Sequence, residues 1–286
     1  MSPDDDDAAK RGVTVANGAA RLAVSVWGDS GAPILALHPG VADRRCWRWC
    51  APVWAAAGHR VIAYDRRGFG ETVDEPESHD DVDDLRAVTA ANDARPAIVI
   101  GNSRGGAIAI DHALAHPDEV SALVLVAPSP SGYDDARWPT MAAEDELDHR
   151  IAAAEQDGDL ELVNQLEVRY WLDGVEQEEG RVTGDARRLM SEMNGRALRA
   201  SPIGDPTERS SAWERLAELT MPVLVVCGEY DLDGCRQLCD ELAAAVPRAR
   251  RVDIAASAHC PQLDQPHALA QVVLGFMDSL ANGESA

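Results

Sequence analysis

The chain has 286 residues, of which 26 are lysine or arginine and 49 are aspartate or glutamate, giving a formal net charge of −23. Such a charge repels nucleic acid and anionic membrane surfaces, so neither is predicted as a partner. The length is near the upper size of a single hydrophobic core, which favours one α/β domain with an inserted segment. No apolar segment approaches the length of a membrane span, and the polar amino terminus lacks the apolar core of a signal peptide. We therefore expect a cytoplasmic protein.

Residues 1–12 are predicted to form a disordered acidic tail, because they include four consecutive aspartates and few apolar side chains. After them, apolar runs of strand length alternate with helical patterns, which predicts a mostly parallel sheet covered by helices on both faces. Strands are predicted at residues 20–27, 33–38, 60–65, 97–102, 121–127, 222–228 and 250–255. Helices are predicted at residues 46–57, 79–92, 104–116, 234–246 and 264–281.

The fourth predicted strand ends at a serine flanked by glycines, in the order Gly101-Asn102-Ser103-Arg104-Gly105. This is the Gly-x-Ser-x-Gly pattern of a nucleophile elbow, a tight strand-to-helix turn that exposes the serine. Glycine is needed two residues before and after the serine, because the backbones pass closely there. The strand before and the helix after, which stops at Pro117, supply the context that the motif requires. Ser103 is the predicted nucleophile.

Between the predicted strands at 121–127 and 222–228 the alternation stops, and charged helical patterns occupy residues 142–156, 159–172 and 186–198. We interpret residues 131–212 as a helical cap inserted into a core formed by residues 13–130 and 213–286. Large apolar residues in this segment are more often the core of such a cap than a substrate wall. Candidate pocket residues are Trp138, Tyr170 and Trp171, together with Val41 from the core.

A serine nucleophile needs a base and an acid that orients the base. In the fold that carries a nucleophile elbow, the acid and then the histidine follow the serine along the chain. The strand at 222–228 is followed by Asp231, the preferred acid, with Asp233 and Glu229 as nearby competitors. Only His259 lies in a short loop between a strand and a helix, so it is the predicted base. The other histidines after Ser103 fall in predicted helices and are His112, His116, His149 and His267.

Two backbone N–H groups are expected to stabilise the negative charge of the transition state. One belongs to Arg104, directly after the nucleophile. The other comes from the loop after the strand at 33–38, which reads His38-Pro39-Gly40. Proline has no N–H, so the donor is Gly40 or Val41, and Gly40 is preferred. His38 is predicted to support this loop.

These motifs together resemble the α/β-hydrolase superfamily. His38-Pro39-Gly40 is similar to its His-Gly oxyanion loop, with Pro39 in place of the usual glycine, and Trp47 stands where the family has a downstream tryptophan. Residues 64–70 resemble its Tyr-Asp-x-Arg-Gly-x-Gly turn, residues 228–231 its acid loop, and residues 258–259 its histidine loop. The resemblance covers roughly residues 20–130 and 215–282 and is strongest to 3-oxoadipate enol-lactonases, arylesterases and cofactor-free haloperoxidases.

The predicted function is hydrolysis of a small carboxylic ester or lactone through an acyl-enzyme on Ser103, without a cofactor. A small-molecule substrate is the only partner predicted, and no oligomeric state is predicted. An aminopeptidase or a carbon–carbon bond hydrolase would use the same three residues. A non-hydrolytic enzyme or a ligand receptor on this fold is the alternative from another class.

The cysteines include two pairs at helical spacing, Cys46 with Cys50 and Cys235 with Cys239. Such pairs raise the question of a zinc site. The predicted fold places the two helices on opposite faces of the sheet, and no histidine is expected near either pair. We therefore predict free thiols and no metal, and expect Cys260, beside His259, to be a bystander while Ser103 is available.

Overall fold

A computed structural model describes residues 11–134, 138–207 and 211–283, and its centre is an eight-stranded sheet. The strands are Arg11–Asn17 (β1), Ala20–Trp27 (β2), Pro33–Leu37 (β3), Arg60–Tyr64 (β4), Ala97–Asn102 (β5), Val120–Val126 (β6), Val223–Gly228 (β7) and Ala249–Ile254 (β8). Their spatial order is β1-β2-β4-β3-β5-β6-β7-β8. Strand β2 pairs antiparallel with both β1 and β4. All the following pairs in this order, from β4 with β3 to β7 with β8, are parallel. The predicted mostly parallel sheet is confirmed.

Helices cover both faces of the sheet. They are Ala51–Ala56 (α1), Asp81–Ala91 (α2), Arg104–Ala115 (α3), Ala142–Gln156 (α4), Leu160–Val168 (α5), Gly184–Ala197 (α6), Asp233–Ala245 (α7), Pro261–Asp264 (α8) and Pro266–Ala281 (α9). Short 3₁₀ turns occupy Arg44–Trp47, Pro117–Glu119 and Trp213–Glu218, and one π-helical turn occupies Arg169–Asp173. Within the described ranges, no helix is long and apolar enough to cross a bilayer.

The core has two layers because successive strand residues point to opposite faces of the sheet. In β3, Leu35 and Leu37 pack in the layer that receives α2, α3 and α7. Ile34 and Ala36 pack in the other layer, against α1 and α9. Strands β5 and β7 are buried on both faces, which explains why they read as continuous apolar runs.

The hairpin of β1 and β2 was not predicted in full, since the sequence pattern placed the first strand at 20–27. Strand β1 begins at Arg11, so residues 11 and 12 belong to the sheet and not to the predicted tail, while residues 1–10 lie outside the described residues. Gly18, at φ +56°, turns the chain so that Asn17 pairs with Ala20. Glycine at the first central position is typical of a two-residue hairpin turn, and Gly18 was the sign that could have revealed β1.

Helices α4 to α6 lie between β6 and β7, where the inserted cap was predicted. The predicted helix at 159–172 ends earlier, at Val168, and continues as the π-helical turn. Two other predicted helices were too long. The helix at 46–57 is a 3₁₀ turn followed by the short α1, which starts just before Pro52, and the helix at 264–281 is interrupted at Gln265 before Pro266.

Candidate active site

Ser103 occupies a strained backbone position between β5 and α3, with φ 52° and ψ −118°. A side chain on Gly101 would lie 2.3 Å from the carbonyl oxygen of Gly105, and one on Gly105 would lie 2.4 Å from the carbonyl oxygen of Leu37. Contacts this short are sterically excluded, so both flanking positions require glycine. The strain at Ser103 is held by the surrounding structure, as is common at functional sites.

His259 and Asp231 form a buried hydrogen-bonded pair. The Nδ1 atom of His259 lies 3.0 and 3.1 Å from the two carboxylate oxygens of Asp231, and both residues are only 4 % exposed. The backbone N–H of Leu232 also donates to Asp231, at 2.9 Å. An imidazole held in this way presents its other nitrogen, Nε2, as a proton acceptor.

The structure separates Asp231 from the two competing carboxylates. Asp233 is the first residue of α7, its side chain is half exposed, and it lies 3.9 Å from Arg236. Glu229 accepts a hydrogen bond from the backbone N–H of Ala256 at 2.8 Å. Of the three, Asp231 is the carboxylate brought to His259.

Asn102 connects the serine turn to the histidine loop. Its side-chain amide donates to the carbonyl oxygens of Val126 and His259, at 2.9 and 3.2 Å, and Gln262 donates to its oxygen at 2.9 Å. The residue next to Ser103 therefore binds the backbone of His259. Among the described residues, the Ser103 hydroxyl has no hydrogen-bond partner. Hydrogen bonds between catalytic groups often form only when substrate is bound.

The loop before Gly40 is held by two buried side chains. The backbone N–H of Arg66 donates to Nε2 of His38 at 3.0 Å, so Nδ1 carries the ring proton and donates to the Pro39 carbonyl oxygen at 2.8 Å. The guanidinium of Arg66 donates to the same oxygen at 3.1 Å. In a trans peptide the N–H points opposite to the C=O. The Gly40 N–H is thus directed away from His38 and Arg66, and Gly40 itself is exposed.

Arg104 begins α3, and its side chain turns outward to an ion pair with Asp81 at 2.8 Å. Its backbone N–H belongs to the first turn of the helix, where N–H groups have no partner within the helix. The oxyanion role of Arg104 and Gly40 stays a prediction.

We expect the buried state of His38 to make folding sensitive to acid. Burial, reinforced by Arg66, lowers the pKa of His38 well below its usual range. Below about pH 6.5 the unfolded chain takes up a proton that the folded protein resists. The free energy of unfolding should therefore decrease as the pH is lowered below about 6.5, and this group should contribute at most ~1.4 kcal/mol per pH unit.

Urea unfolding between pH 8 and pH 5 measures this effect. The slope below pH 6.5 should be smaller in His38→Gln than in the wild type. His267→Gln is the matched control, because His267 is exposed and its replacement should leave the slope unchanged. Equal slopes in all three proteins would contradict the assignment to His38.

The predicted pocket residues differ in their surroundings. Trp171 packs on His259, with ring centroids 4.6 Å apart, and it is partly buried, as are Val41 and Trp138. Tyr170 is 6 % exposed and its hydroxyl bonds Glu144 at 3.2 Å inside the cap. Trp138 lies against the backbone of Gly234, where a side chain would overlap its indole ring. Trp171 is thus the member of the set that contacts the Asp231–His259 pair.

Arg181 was not identified from the sequence, although it joins the cap to the histidine loop. Its guanidinium donates to the carbonyl oxygens of Leu172 and Asp173 in the cap, each at 2.7 Å. It also donates to the carbonyl oxygen of Ala256 and to the Asp264 carboxylate, again at 2.7 Å. An arginine within a charged segment is expected to be a surface residue, so the sequence gives no signal for this role.

Cys235 corrects one expectation. Its Sγ atom lies 3.8 Å from Nδ1 of His259, so a histidine does lie near one of the two cysteine pairs. The loop that carries His259 packs on α7, and the spacing of the cysteines within their helices does not reveal that contact. The placement of the pairs in different core layers is confirmed, since Cys46 and Cys50 belong to one layer and Cys239 to the other.

A groove of about 730 Å³ lies on the cap between α5 and α6 and is lined in part by arginines. Arg187 pairs with Asp173, and Arg199 lies 3.4 Å from Glu161. None of the predicted site residues lines this groove. It is therefore separate from the Asp231–His259 pair.

Comparisons with known proteins agree with this architecture. Residues 34–272 match the alpha/beta hydrolase family. A Bacillus subtilis (strain 168) protein, provisionally named 2-succinyl-6-hydroxy-2,4-cyclohexadiene-1-carboxylate synthase, is 27 % identical over 94 % of this chain and 98 % of its own. The monoacylglycerol lipase of Mycolicibacterium smegmatis (strain ATCC 700084 / mc(2)155) is 28 % identical over 79 % of this chain and 82 % of its own. The structure of Est816, described as an N-acyl homoserine lactone degrading enzyme, superposes with a TM-score of 0.71 at 23 % identity, covering 92 % of this chain and all of the other.

Proposed function

The chain belongs to the alpha/beta hydrolase family, and from this premise we propose that it is a serine hydrolase acting on small carboxylic esters or lactones. The observation that carries the proposal is the strained Ser103 turn, bound through Asn102 to the loop of a histidine that is itself paired with a buried carboxylate. A binding protein or receptor would not need a base held next to a serine on a strained turn. No cofactor takes part in the proposed reaction.

The reaction has two acyl-transfer steps. His259 takes the hydroxyl proton of Ser103 at Nε2 while the serine oxygen attacks the substrate carbonyl. The N–H groups of Gly40 and Arg104 stabilise the resulting oxyanion, and Asp231 stabilises the imidazolium. His259 returns the proton to the departing alkoxide, which leaves an ester on Ser103. Water, deprotonated by His259, then releases the acid and restores the serine.

The ester or lactone class is supported by the surroundings of the base and by the relatives. Trp171 places an apolar ring against His259, and the partly buried Val41 follows the oxyanion loop. Apolar side chains at these two positions suit an uncharged acyl group better than a charged one. The lipase from Mycolicibacterium smegmatis and the lactone-degrading Est816 carry ester-type activities in their names.

A panel of substrates tests this class. We expect turnover of p-nitrophenyl acetate and butyrate and of a small lactone, with weaker turnover of the long-chain palmitate ester and of amino-acid p-nitroanilides. A burst of p-nitrophenol, equal to the enzyme concentration, would indicate an acyl-enzyme. Faster turnover of the anilides than of the esters would instead favour an aminopeptidase.

A second candidate is a non-hydrolytic enzyme that uses His259 only as a base. It is favoured by the Bacillus subtilis relative, which is named a synthase and matches nearly the whole chain. The hydrolase forms an acyl-enzyme on Ser103, whereas the second candidate forms none. Absence of a burst and of ester turnover, in a protein whose Ser103 still reacts with a fluorophosphonate, would favour the second.

A further inference from the structure

Asp231, Cys235 and His259 form a buried cluster of three potential metal ligands. Their ligand atoms all lie within 4.8 Å of one another. The three side chains come from different parts of the fold, the loop after β7, the first turn of α7 and the loop after β8. Cys235 takes no part in the proposed reaction, so its place against His259 is unexplained by that reaction.

We infer that this cluster is an inhibitory binding site for a thiophilic divalent cation such as Zn²⁺ or Cd²⁺. The two distances from Nδ1 of His259 come within about 0.4 Å of those around a tetrahedral ion. Zinc bonds of about 2.3 Å to sulfur and about 2.0 Å to nitrogen or oxygen hold neighbouring ligand atoms roughly 3.3 to 3.6 Å apart. Here Nδ1 of His259 lies 3.8 Å from the Cys235 sulfur and 3.0 Å from a carboxylate oxygen of Asp231.

The ligand types select the cation. A thiolate and an imidazole suit Zn²⁺ and Cd²⁺, whereas Mg²⁺ and Ca²⁺ prefer oxygen ligands. The thiolate of Cys235 and the carboxylate of Asp231 together cancel the two positive charges of the ion. A neutral cluster is the arrangement that a buried site tolerates best.

Binding would stop catalysis by changing the tautomer of His259. The Cys235 thiol gives its proton to solvent as the sulfur–metal bond forms. The ring proton of His259 moves from Nδ1 to Nε2 as the metal takes Nδ1. With Nε2 protonated, the ring can no longer accept the proton of Ser103. This inhibition rests on the proposed function, whereas the binding of the cation does not.

The test compares the wild type with Cys235→Ser and Cys235→Ala. We expect Zn²⁺ to inhibit hydrolysis of p-nitrophenyl acetate by the wild type, and the zinc concentration for half inhibition to rise at least about tenfold in both variants. Cys239→Ser is the matched control, because Cys239 lies one turn further along α7 and outside the cluster. Its inhibition by zinc should equal that of the wild type.

Cobalt gives a readout that does not need activity. Titration with Co²⁺ should produce the near-ultraviolet absorption of a cobalt–thiolate bond in the wild type and in Cys239→Ser, and not in the two Cys235 variants. The same absorption in a Cys235 variant, or none in the wild type, would overturn the site. If the absorption follows Cys235 but no ester is turned over by any of the proteins, the site stands and the proposed hydrolase function fails.

Discussion

Replacement of Ser103 by alanine is expected to lower kcat/KM for p-nitrophenyl acetate by a factor of about 10⁴ or more. The reason is chemical, because the variant lacks the oxygen that carries the acyl group. Alanine also has a Cβ atom, so the positive φ at this position strains the variant no more than the wild type. The fold should therefore survive, and the loss should appear in kcat.

Initial rates on the ester and the intact mass after treatment with a small fluorophosphonate measure this prediction. The wild type should gain a single adduct, and Ser103→Ala none. Ser129→Ala is the matched control, because Ser129 is an exposed serine whose backbone N–H binds the carbonyl oxygen of Ser103 at 3.3 Å. Full esterase activity in Ser103→Ala would remove Ser103 from the mechanism.

Asp231→Asn is the second substitution for which a large loss is expected, again about 10⁴ in kcat. An amide cannot stabilise the imidazolium of His259, and its N–H₂ group would favour the ring tautomer that has its proton on Nε2. Activity should be measured from pH 6 to pH 9, so that a shifted optimum is not mistaken for a loss. The thermal midpoint reports whether the buried pair was also needed for stability.

Asp233→Asn is the matched control for this substitution. It removes a carboxylate only two residues away, from a side chain that is half exposed at the start of α7. We expect a rate within about twofold of the wild type and a loss of roughly 0.3 to 1 kcal/mol in stability, the usual contribution of an acid at a helix amino terminus. A large loss of rate in Asp233→Asn, with an active Asp231→Asn, would exchange the roles of the two residues.

The parts that could be predicted from the sequence are those with strong local constraints. The turn at Ser103 was visible because Gly101 and Gly105 have no sterically allowed replacement and because an apolar strand leads into it. The parallel strands were visible because burial on both faces requires continuous apolar residues. The loop position of His259 was visible by contrast with histidines in helical patterns.

The parts that were missed depend on distant contacts or on weak local signals. Strand β1 is an edge strand with few large apolar residues, and its main signal was Gly18 in the turn to β2. The contact between Cys235 and His259 joins residues 24 positions apart through the packing of a loop on a helix, which spacing alone does not reveal. Three of the four acceptors of Arg181 are carbonyl oxygens, and these carry no side-chain identity in the sequence.

The hydrogen bonds of Arg181 have a consequence for the order of events in a turnover. Because one guanidinium holds both the end of the π-helical turn and the loop that carries His259, this edge of the cap cannot lift away alone. Lifting it either breaks these bonds or draws Ala256 and Asp264, and with them the base, away from Ser103. Opening at this edge therefore costs either the hydrogen bonds of Arg181 or the position of the base, and in the second case admission of substrate there and proton transfer would alternate in time.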